Sequence, residues 1–309
     1  MRPEPATPAA AVETVRGQPC IRLTVANGDS ALVALHGAQV LSWTAFGRER
    51  LYLSPRTAWD GHTAIRGGIP VCWPQFNQRG PLPKHGFVRN LPWQPAPPDG
   101  QADAAANGAQ DGGASEASLC LTLADSPATR AWWPESFAAA LTISLGEGRL
   151  RTQLQVRNTG NPDSADSRPW DFTTALHTYL HVDDVETVRL SGLDGCARWD
   201  AVADAHARQQ GDVTFAGQFD RVFGPAPAPQ PLQLHDGDHC LEITQSDSLS
   251  NTVVWNPGSA LCAQLADMPP DGWRNMLCVE AARIDQPVTL APGAHWQGWQ
   301  ELRVLRPMP

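Results

Sequence analysis

The sequence predicts an all-β protein built as an antiparallel β-sandwich, and three observations lead to this fold class. Many short runs alternate apolar and polar residues with a period of two, as half-buried strands do. The 26 glycines and 28 prolines supply frequent turns between those runs. Amphipathic helical periods are scarce, so helices do not alternate with the strands, and antiparallel pairing is expected.

The first predicted elements are two hairpins. Residues 20–35 alternate on both sides of Asn27-Gly28, a dipeptide that is typical of two-residue hairpin turns. Residues 141–158 alternate in the same way around a Gly-Glu-Gly turn at 146–148. One face of the second half of this hairpin carries Leu150, Thr152, Leu154 and Val156. That face is expected to pack on the core.

Further strands are predicted in the C-terminal half of the chain. They lie at residues 185–193, 239–245, 251–255, 275–284 and 295–305. No internal repeat of fixed length accompanies them, which argues against a propeller.

One segment interrupts the strand pattern. Residues 95–117 contain no large apolar side chain and are rich in Ala, Gly, Asp and Pro. Such a segment cannot bury enough surface to offset its ordering entropy, so it predicts a disordered loop. Strand-like sequence resumes at Ser118, which favours an enlarged hairpin loop over a domain linker. We therefore predict a flexible N-terminus at 1–15 and a single domain at 16–309.

Composition and charge exclude several classes of function. The formal net charge is −9 and the pI is near 5.4, so a nucleic-acid partner is not expected. No run approaches the roughly 18 apolar residues that span a bilayer, and the N-terminus lacks the apolar stretch of a secretion signal. The seven cysteines include no close pair, which fits a reducing compartment. A cytoplasmic protein without membrane contact is predicted.

The densest group of basic residues occurs within 54–93, a segment rich in Gly and Pro. It contains Arg66, Arg79, Lys84, His85 and Arg89, and Lys84 is the sole lysine of the chain. Loops that carry convergent cations beside Trp and Pro surfaces are candidate sites for an anion or a sugar. The alternative is a set of solvated charges on a long connection.

A second candidate is the histidine-containing run at 172–182. As one continuous strand, it would direct His177, Tyr179 and His181 to one face and Phe172, Leu176, Leu180 and Val182 to the core. At 3.3 Å per residue the two histidines would lie about 13 Å apart, which is too far for one metal ion. No metal is predicted. The alternative interpretation is an ordinary hydrogen-bonded strand histidine.

The third candidate is Glu280, which lies among apolar residues in the strand predicted at 275–284. A buried carboxylate is costly unless it is paired or functional, and burial raises its pKa. The alternative is a structural salt bridge to Arg283. The sequence contains no GxSxG, P-loop, GxGxxG or HExxH motif, so the chemistries that these motifs mark are set aside.

Six motifs resemble the glucose-6-phosphate 1-epimerase group, the hexose-6-phosphate mutarotases of the aldose 1-epimerase (galactose mutarotase-like) superfamily. They are AIRGGIPVCWPQF, LPKHGFVRNLPW, LHTYLHV, QFDRVF, VVWNP and LCVEAARI, and they occur in the family's order between about residues 36 and 304. The resemblance implies a single β-supersandwich of the galactose mutarotase-like kind, with a concave active face and no cofactor.

The resemblance also implies site residues. The catalytic pair falls on His177 and Glu280, and substrate-binding positions fall on Arg66, Arg89 and Asp220. The position before His85-Gly86-Phe87, often a polar amide in relatives, is Lys84 here. The implied substrate is a hexose 6-phosphate, and the protein is expected to act as a monomer.

The residue types also fit anomerisation on chemical grounds. Ring opening needs a base at O1 and an acid at ring O5, and neither a metal nor a nicotinamide is required. Glu280 is predicted as the base and protonated His177 as the acid, while Arg66, Lys84 and Arg89 would neutralise the phosphate.

Two other functions stay open. Asp220 and Glu280 could serve as the two carboxylates of a glycoside hydrolase, or the fold could be a non-catalytic sugar-phosphate-binding module.

Overall fold

Strands form most of the regular structure in residues 12–96, 115–164, 167–227 and 230–305, which are the residues that the computed structural model describes. In chain order they are β1 (Val12–Val15), β2 (Gln18–Thr24), β3 (Ser30–Ala34), β4 (Val40–Ala45), β5 (Arg48–Glu49), β6 (Val71–Cys72), β7 (Gln94–Pro95), β8 (Glu116–Ala124), β9 (Phe137–Gly146), β10 (Arg149–Asn158), β11 (Trp170–Leu176), β12 (Tyr179–His181), β13 (Arg189–Ser191), β14 (Ala197–Asp200), β15 (Ala205–Arg208), β16 (Val213–Thr214), β17 (Phe219–Phe223), β18 (Leu232–Asp236), β19 (His239–Gln245), β20 (Asn251–Asn256), β21 (Met276–Leu290) and β22 (His295–Leu305).

The helices that the structure describes are short. They are α1 (Pro127–Arg130), α2 (Gly258–Cys262) and the 3₁₀ turns Val88–Asn90 and Gly272–Asn275. Within the described ranges, no helix has the length and apolar character needed to cross a bilayer.

The strands form three sheets. The first contains β1 to β5 in chain order. The second has the order β16-β13-β18-β19-β22-β10-β9-β8-β7. The third has the order β15-β14-β17-β20-β21-β11-β6, with β12 paired to β21. Neighbouring strands in the third sheet run antiparallel, as they do in the other two, so the predicted all-β antiparallel fold is confirmed.

The predicted hairpins are present. Strands β2 and β3 pair from Cys20 with Ala34 to Thr24 with Ser30, and Gly28 in the turn has a φ of 86°, which suits glycine. Strands β9 and β10 pair along their whole lengths. The burial of β10 alternates as the sequence predicts, with its apolar face inside.

One large apolar core contains residues of all three sheets, for example Val33, Leu154 and Val254. A smaller apolar cluster contains Val253 and Val222. Adjacent residues on a strand point to opposite faces, so Val253 and Val254 lie on opposite sides of the third sheet. The smaller cluster therefore marks the outer face of that sheet, and the candidate functional residues extend from this face.

The structure describes the ends of two segments that were predicted to be flexible, the N-terminus and the long loop. Residues 12–15, assigned to the flexible N-terminus, instead form β1, because the turn at Arg16-Gly17 lets them pair with β2. At the long loop, β7 and β8 pair antiparallel, as an enlarged hairpin requires, and β8 already begins at Glu116. Residues 1–11 and 97–114 lie outside the described residues, and the single-domain assignment stays a prediction.

The run at 172–182 differs from the predicted continuous strand. Strand β11 ends at Leu176 and β12 begins at Tyr179, although the register against β21 is the same on both sides of the break. Over the break, the backbone N–H of His177 donates to the Pro70 carbonyl and that of Tyr179 donates to the Gly68 carbonyl. These bonds continue the pairing with the segment that contains β6, and the Val279 N–H still donates to the Thr178 carbonyl. The local departure is at Thr178, whose N–H donates to the Leu176 carbonyl two residues earlier rather than to a neighbouring strand.

Candidate active site

The candidate site includes residues of three neighbouring strands, β17, β20 and β21. Asp220 on β17 lies opposite Trp255 on β20, and Trp255 lies opposite Cys278 on β21. Glu280 is two residues beyond Cys278, opposite Val253. Because residues two apart on a strand share a face, these side chains extend from the outer face of the third sheet.

His177 and Glu280 meet on this face. His177 Nε2 lies 3.4 Å from Glu280 Oε1, and the two residues are only 7% and 1% exposed. His177 Nδ1 and Glu280 Oε2 are buried and have no hydrogen-bond partner among the residues that the structure describes. Buried polar atoms without partners are unfavourable, so a polar ligand that bonded to them would recover free energy.

Burial shifts the pKa values of this pair in opposite directions. It raises the pKa of Glu280 well above its usual value, and the negative charge of Asp220 adds to this effect. Burial also lowers the pKa of His177 well below its usual value, with further contributions from His85, Arg89 and Arg66. The free site therefore favours a neutral imidazole, whereas the sequence argument assigned a protonated His177.

The imidazole of His177 is enclosed by aromatic rings. Tyr179 stacks on it with ring centroids 4.8 Å apart and an interplanar angle of 8°. Trp255 meets both rings edge-on, at 6.3 Å from His177 and 6.2 Å from Tyr179. The predicted face shared by His177 and Tyr179 is thus present despite the break in the strand. His181 is half-exposed and belongs to β12.

Arg66 reaches the site from the segment before β6. The next two residues are glycines with positive φ, and a Cβ atom on Gly68 would lie 2.0 Å from the Val40 carbonyl oxygen. Only glycine permits this close approach. The Arg66 side chain donates from Nε to Asp267 Oδ2 at 2.9 Å and from Nη1 to Tyr179 Oη at 3.0 Å.

Lys84, His85 and Arg89 lie on the loop that follows β6 and on the adjoining 3₁₀ turn. The buried His85 accepts a hydrogen bond at Nδ1 from the backbone N–H of Asn77, which leaves its ring proton on Nε2. Arg89 Nη2 donates to the Lys84 carbonyl at 3.0 Å, and Arg89 Nε is buried without a partner in the described ranges. Lys84 is exposed.

The charges of these basic residues act on the buried histidines and on Glu280. Burial and the charges of Arg89, Lys84 and Arg66 lower the pKa of His85 to about 2, so His85 is neutral. The His85 and His177 ring centroids are 5.4 Å apart. The charges of Lys84 and Arg89 also act on Glu280.

Asp220 is the remaining member of this group of interacting charges. Burial raises its pKa to about 6, against the opposing effect of Lys84. Charge interactions therefore connect the seven residues expected at the site, which are Arg66, Lys84, His85, Arg89, His177, Asp220 and Glu280.

One alternative considered in the sequence is not met. Arg283 bonds to the Gln286 carbonyl and to Ser250 Oγ, so the pairing with Glu280 considered in the sequence is not formed. Arg79, the remaining member of the basic group, lies at 5.1 Å over the ring of Trp199 and 3.5 Å from Asp285, and its charge also acts on Asp220.

Sequence reasoning missed two neighbours of the predicted residues. Tyr179 was placed on the right face but given no role, although the LHTY motif and its rarity as one of two tyrosines marked it. Asp267 lies 201 positions from its partner Arg66 and stands in no motif, so only the fold reveals the contact.

A metal ion suits this site poorly. Ligand atoms of His177, Cys278 and Glu280 lie within 4.8 Å of one another, which is a spacing that an ion could use. However, burial raises the pKa of the Cys278 thiol well above its usual value, and metals bind the thiolate. Arg66 and Arg89 also bring positive charge beside the group. The donor set therefore favours a neutral or anionic ligand.

Comparison with known proteins agrees with the geometry. The sequence profile described as "Aldose 1-epimerase" matches residues 19–303. The chain is 34% identical over 93% of its length to a protein of Cenchrus ciliaris and 35% identical over 89% to a protein of Escherichia coli K12, covering 85% and 87% of those proteins. Both are named "Putative glucose-6-phosphate 1-epimerase".

A solved structure supports the same relationship. The crystal structure of "a putative mutarotase (YeaD) from Salmonella typhimurium" superposes with a TM-score of 0.80 at 30% identity and covers 98% of this chain and 96% of that one. The galactose mutarotase-like fold expected from the sequence is thereby confirmed. With a profile match over most of its length and relatives above 30% identity, the chain belongs to the aldose 1-epimerase family of isomerases.

Proposed function

We propose that this protein interconverts the α and β anomers of D-glucose 6-phosphate and of related hexose 6-phosphates without a cofactor. The observation that carries the proposal is the buried His177–Glu280 pair beside Arg66, Lys84 and Arg89. The names of the relatives from Cenchrus ciliaris and Escherichia coli point to the same substrate.

The acid–base pair accounts for ring opening. Glu280 takes the proton from O1 while His177 gives a proton to ring O5, so the C1–O5 bond breaks and an aldehyde forms. Rotation about C1–C2 presents the other face of the carbonyl. His177 then takes the proton back from the O5 hydroxyl as O5 attacks C1, and Glu280 returns its proton to O1. The protons balance over one cycle.

In the free site the opposed pKa shifts favour a neutral His177 and a protonated Glu280, so the acting pair of imidazolium and carboxylate forms when one proton moves from Glu280 to His177. The substrate's own phosphate supports the charged state of His177. The positive charges of Arg89 and Arg66 contribute to the low pKa of His177 in the free site. A phosphate dianion bound beside them offsets those charges, which raises the pKa of His177 and favours the imidazolium. The acid is thus formed most readily when a phosphorylated sugar is bound.

The other residues hold the substrate. Arg66 and Arg89 offer planar forks to the phosphate, and the exposed Lys84 adds a mobile charge. His85 has a proton on Nε2 that it can donate to a sugar hydroxyl. Asp220 makes no side-chain hydrogen bond within the described part of the chain, which leaves its carboxylate available to orient hydroxyl groups.

The geometry gives less support to the two other functions. In a glycoside hydrolase the two carboxylates carry the chemistry, whereas Glu280 here contacts His177, a group that a two-carboxylate mechanism does not need. A binding module has no use for a buried acid–base pair with opposed pKa shifts, which is a property typical of catalytic sites. Action as a monomer and location in the cytoplasm stay predictions.

The proposal is tested by exchange NMR of anomeric protons. Glucose 6-phosphate, galactose 6-phosphate, mannose 6-phosphate and free glucose are measured with and without the protein. We expect the protein to accelerate exchange of the phosphorylated sugars far more than that of free glucose. Equal acceleration of glucose and glucose 6-phosphate would overturn the phosphate specificity. Absence of acceleration for every sugar would overturn the activity.

A further inference from the structure

We propose that Tyr179 is a positioning residue that links Arg66 to His177, so that a phosphate held by Arg66 is placed in register with the catalytic acid. This inference rests on the proposed function and deepens it. Tyr179 does not take part in proton transfer. Its two ends act on two different parts of the site.

The ring of Tyr179 fixes the imidazole plane. The two rings are nearly parallel, 4.8 Å apart, and Trp255 meets both of them edge-on. Tyr179 is itself 3% exposed and belongs to the main core. Its backbone N–H donates to the Gly68 carbonyl at 2.9 Å, and its carbonyl accepts from the Tyr52 N–H at 3.0 Å. A ring held this firmly restricts rotation of the imidazole that stacks on it.

The hydroxyl of Tyr179 fixes the guanidinium of Arg66. Arg66 Nη1 donates to Tyr179 Oη, and Arg66 Nε donates to Asp267 Oδ2. These two bonds occupy two different nitrogens of the fork. Arg66 Nη2 makes no hydrogen bond within the described residues, and the side chain is 25% exposed. The fork is therefore held from two sides while one corner stays open to an anion.

The link gives a physical basis for preferring phosphorylated sugars. An arginine that moved freely would bind phosphate but would not fix where the rest of the sugar lies. Because Tyr179 contacts both groups, the distance between the phosphate and the imidazole is set by one rigid side chain. Pre-organisation of this kind lowers the ordering cost of binding and holds the reacting atoms in place.

Two substitutions separate the two ends of Tyr179. Tyr179→Phe keeps the stacked ring and removes only the bond to Arg66, so we expect the KM for glucose 6-phosphate to rise about tenfold with a kcat within about threefold of the parent. Tyr179→Leu removes the stacked ring, so we expect kcat to fall at least about tenfold for both glucose 6-phosphate and glucose.

Matched variants complete the test. Thr122→Val is the control, because it removes a half-buried hydroxyl on β8 of the second sheet, which donates to the Gln94 carbonyl at 3.3 Å. We expect it to behave as the parent. Asp267→Asn weakens the other anchor of Arg66 at a partly exposed position and should reproduce the KM effect of Tyr179→Phe. This variant keeps the proposal testable if Tyr179→Leu fails to fold.

The outcomes distinguish this inference from the proposed function. If the parent protein accelerates no hexose 6-phosphate, the proposed function is wrong. If the parent is active but Tyr179→Phe and Asp267→Asn match Thr122→Val in both KM and kcat, the link through Tyr179 is wrong. A fall in kcat for both sugars in Tyr179→Phe, with no rise in KM, would also overturn it, because such a loss reports general damage.

Discussion

Replacing Asp220 by Asn is expected to stabilise the fold while it weakens catalysis. Burial raises the pKa of Asp220 from its usual value of 3.8 to about 6. The folded protein thus binds this proton more tightly than the unfolded chain does, so the ionised carboxylate destabilises the folded state. The cost is absent below the unfolded pKa, grows between about pH 4 and pH 6, and is fully present above pH 6.

The size of the effect follows from the same shift. A tenfold change in proton affinity corresponds to about 1.4 kcal/mol, so the ionised Asp220 costs about 3 kcal/mol at neutral pH, or about 2 kcal/mol when its partial exposure is considered. An Asn side chain carries no charge and avoids most of this cost. We therefore expect Asp220→Asn to be about 2 kcal/mol more stable than the parent at pH 8, with the difference nearly gone at pH 4.

Chemical denaturation at pH 4, 5, 6 and 8 measures the difference directly. Asp238→Asn is the matched control, because Asp238 lies exposed in the turn between β18 and β19. We expect this control to show no comparable change between pH 4 and pH 8. Equal stabilities of the parent and Asp220→Asn at pH 8 would refute the argument that a buried carboxylate is maintained here for function at the expense of stability.

Three further predictions concern the phosphate site and the long loop. Arg66→Ala and Arg89→Ala should each raise the KM for glucose 6-phosphate strongly in steady-state assays, because each removes a planar fork. Lys84→Gln should lower kcat/KM only about tenfold, since Lys84 is exposed. If none of these variants changes the ratio of glucose 6-phosphate to glucose turnover, the cations do not bind phosphate. Replacement of residues 97–114 by a short Gly-Ser connector should leave melting temperature and turnover nearly unchanged, because closure entropy varies slowly with loop length; loss of turnover in a folded variant would contradict this.

Most of the fold could be predicted because its signals are local. The alternation in β10 and the Asn27-Gly28 turn are properties of a few consecutive residues, and both hairpins form as expected. The break between β11 and β12 could not be predicted in this way. It is a single departure at Thr178, whose N–H bonds to the Leu176 carbonyl, and no residue type or spacing in the run marks it.

The candidate site could likewise be predicted from the sequence only where its residues have local signals. Motifs pointed to the acid, the base and the cations because those residue types are unusual in their local context. The contact of Asp267 with Arg66 joins two loops and leaves no local trace. The protonation state of His177 depends on burial and on charges from several segments, so the sequence argument assigned a charged imidazole where the free site favours a neutral one.

The most direct test of the account measures anomer exchange of glucose 6-phosphate by His177→Asn and Glu280→Gln. Both substitutions keep approximate size and polarity and remove proton transfer, so each should slow exchange by about 10²- to 10⁴-fold while the fold is retained. His239→Asn, at an exposed position on β19, should exchange anomers at the parental rate. If either site variant folds normally and keeps the parental rate, the assignment of His177 and Glu280 as the acid–base pair is contradicted.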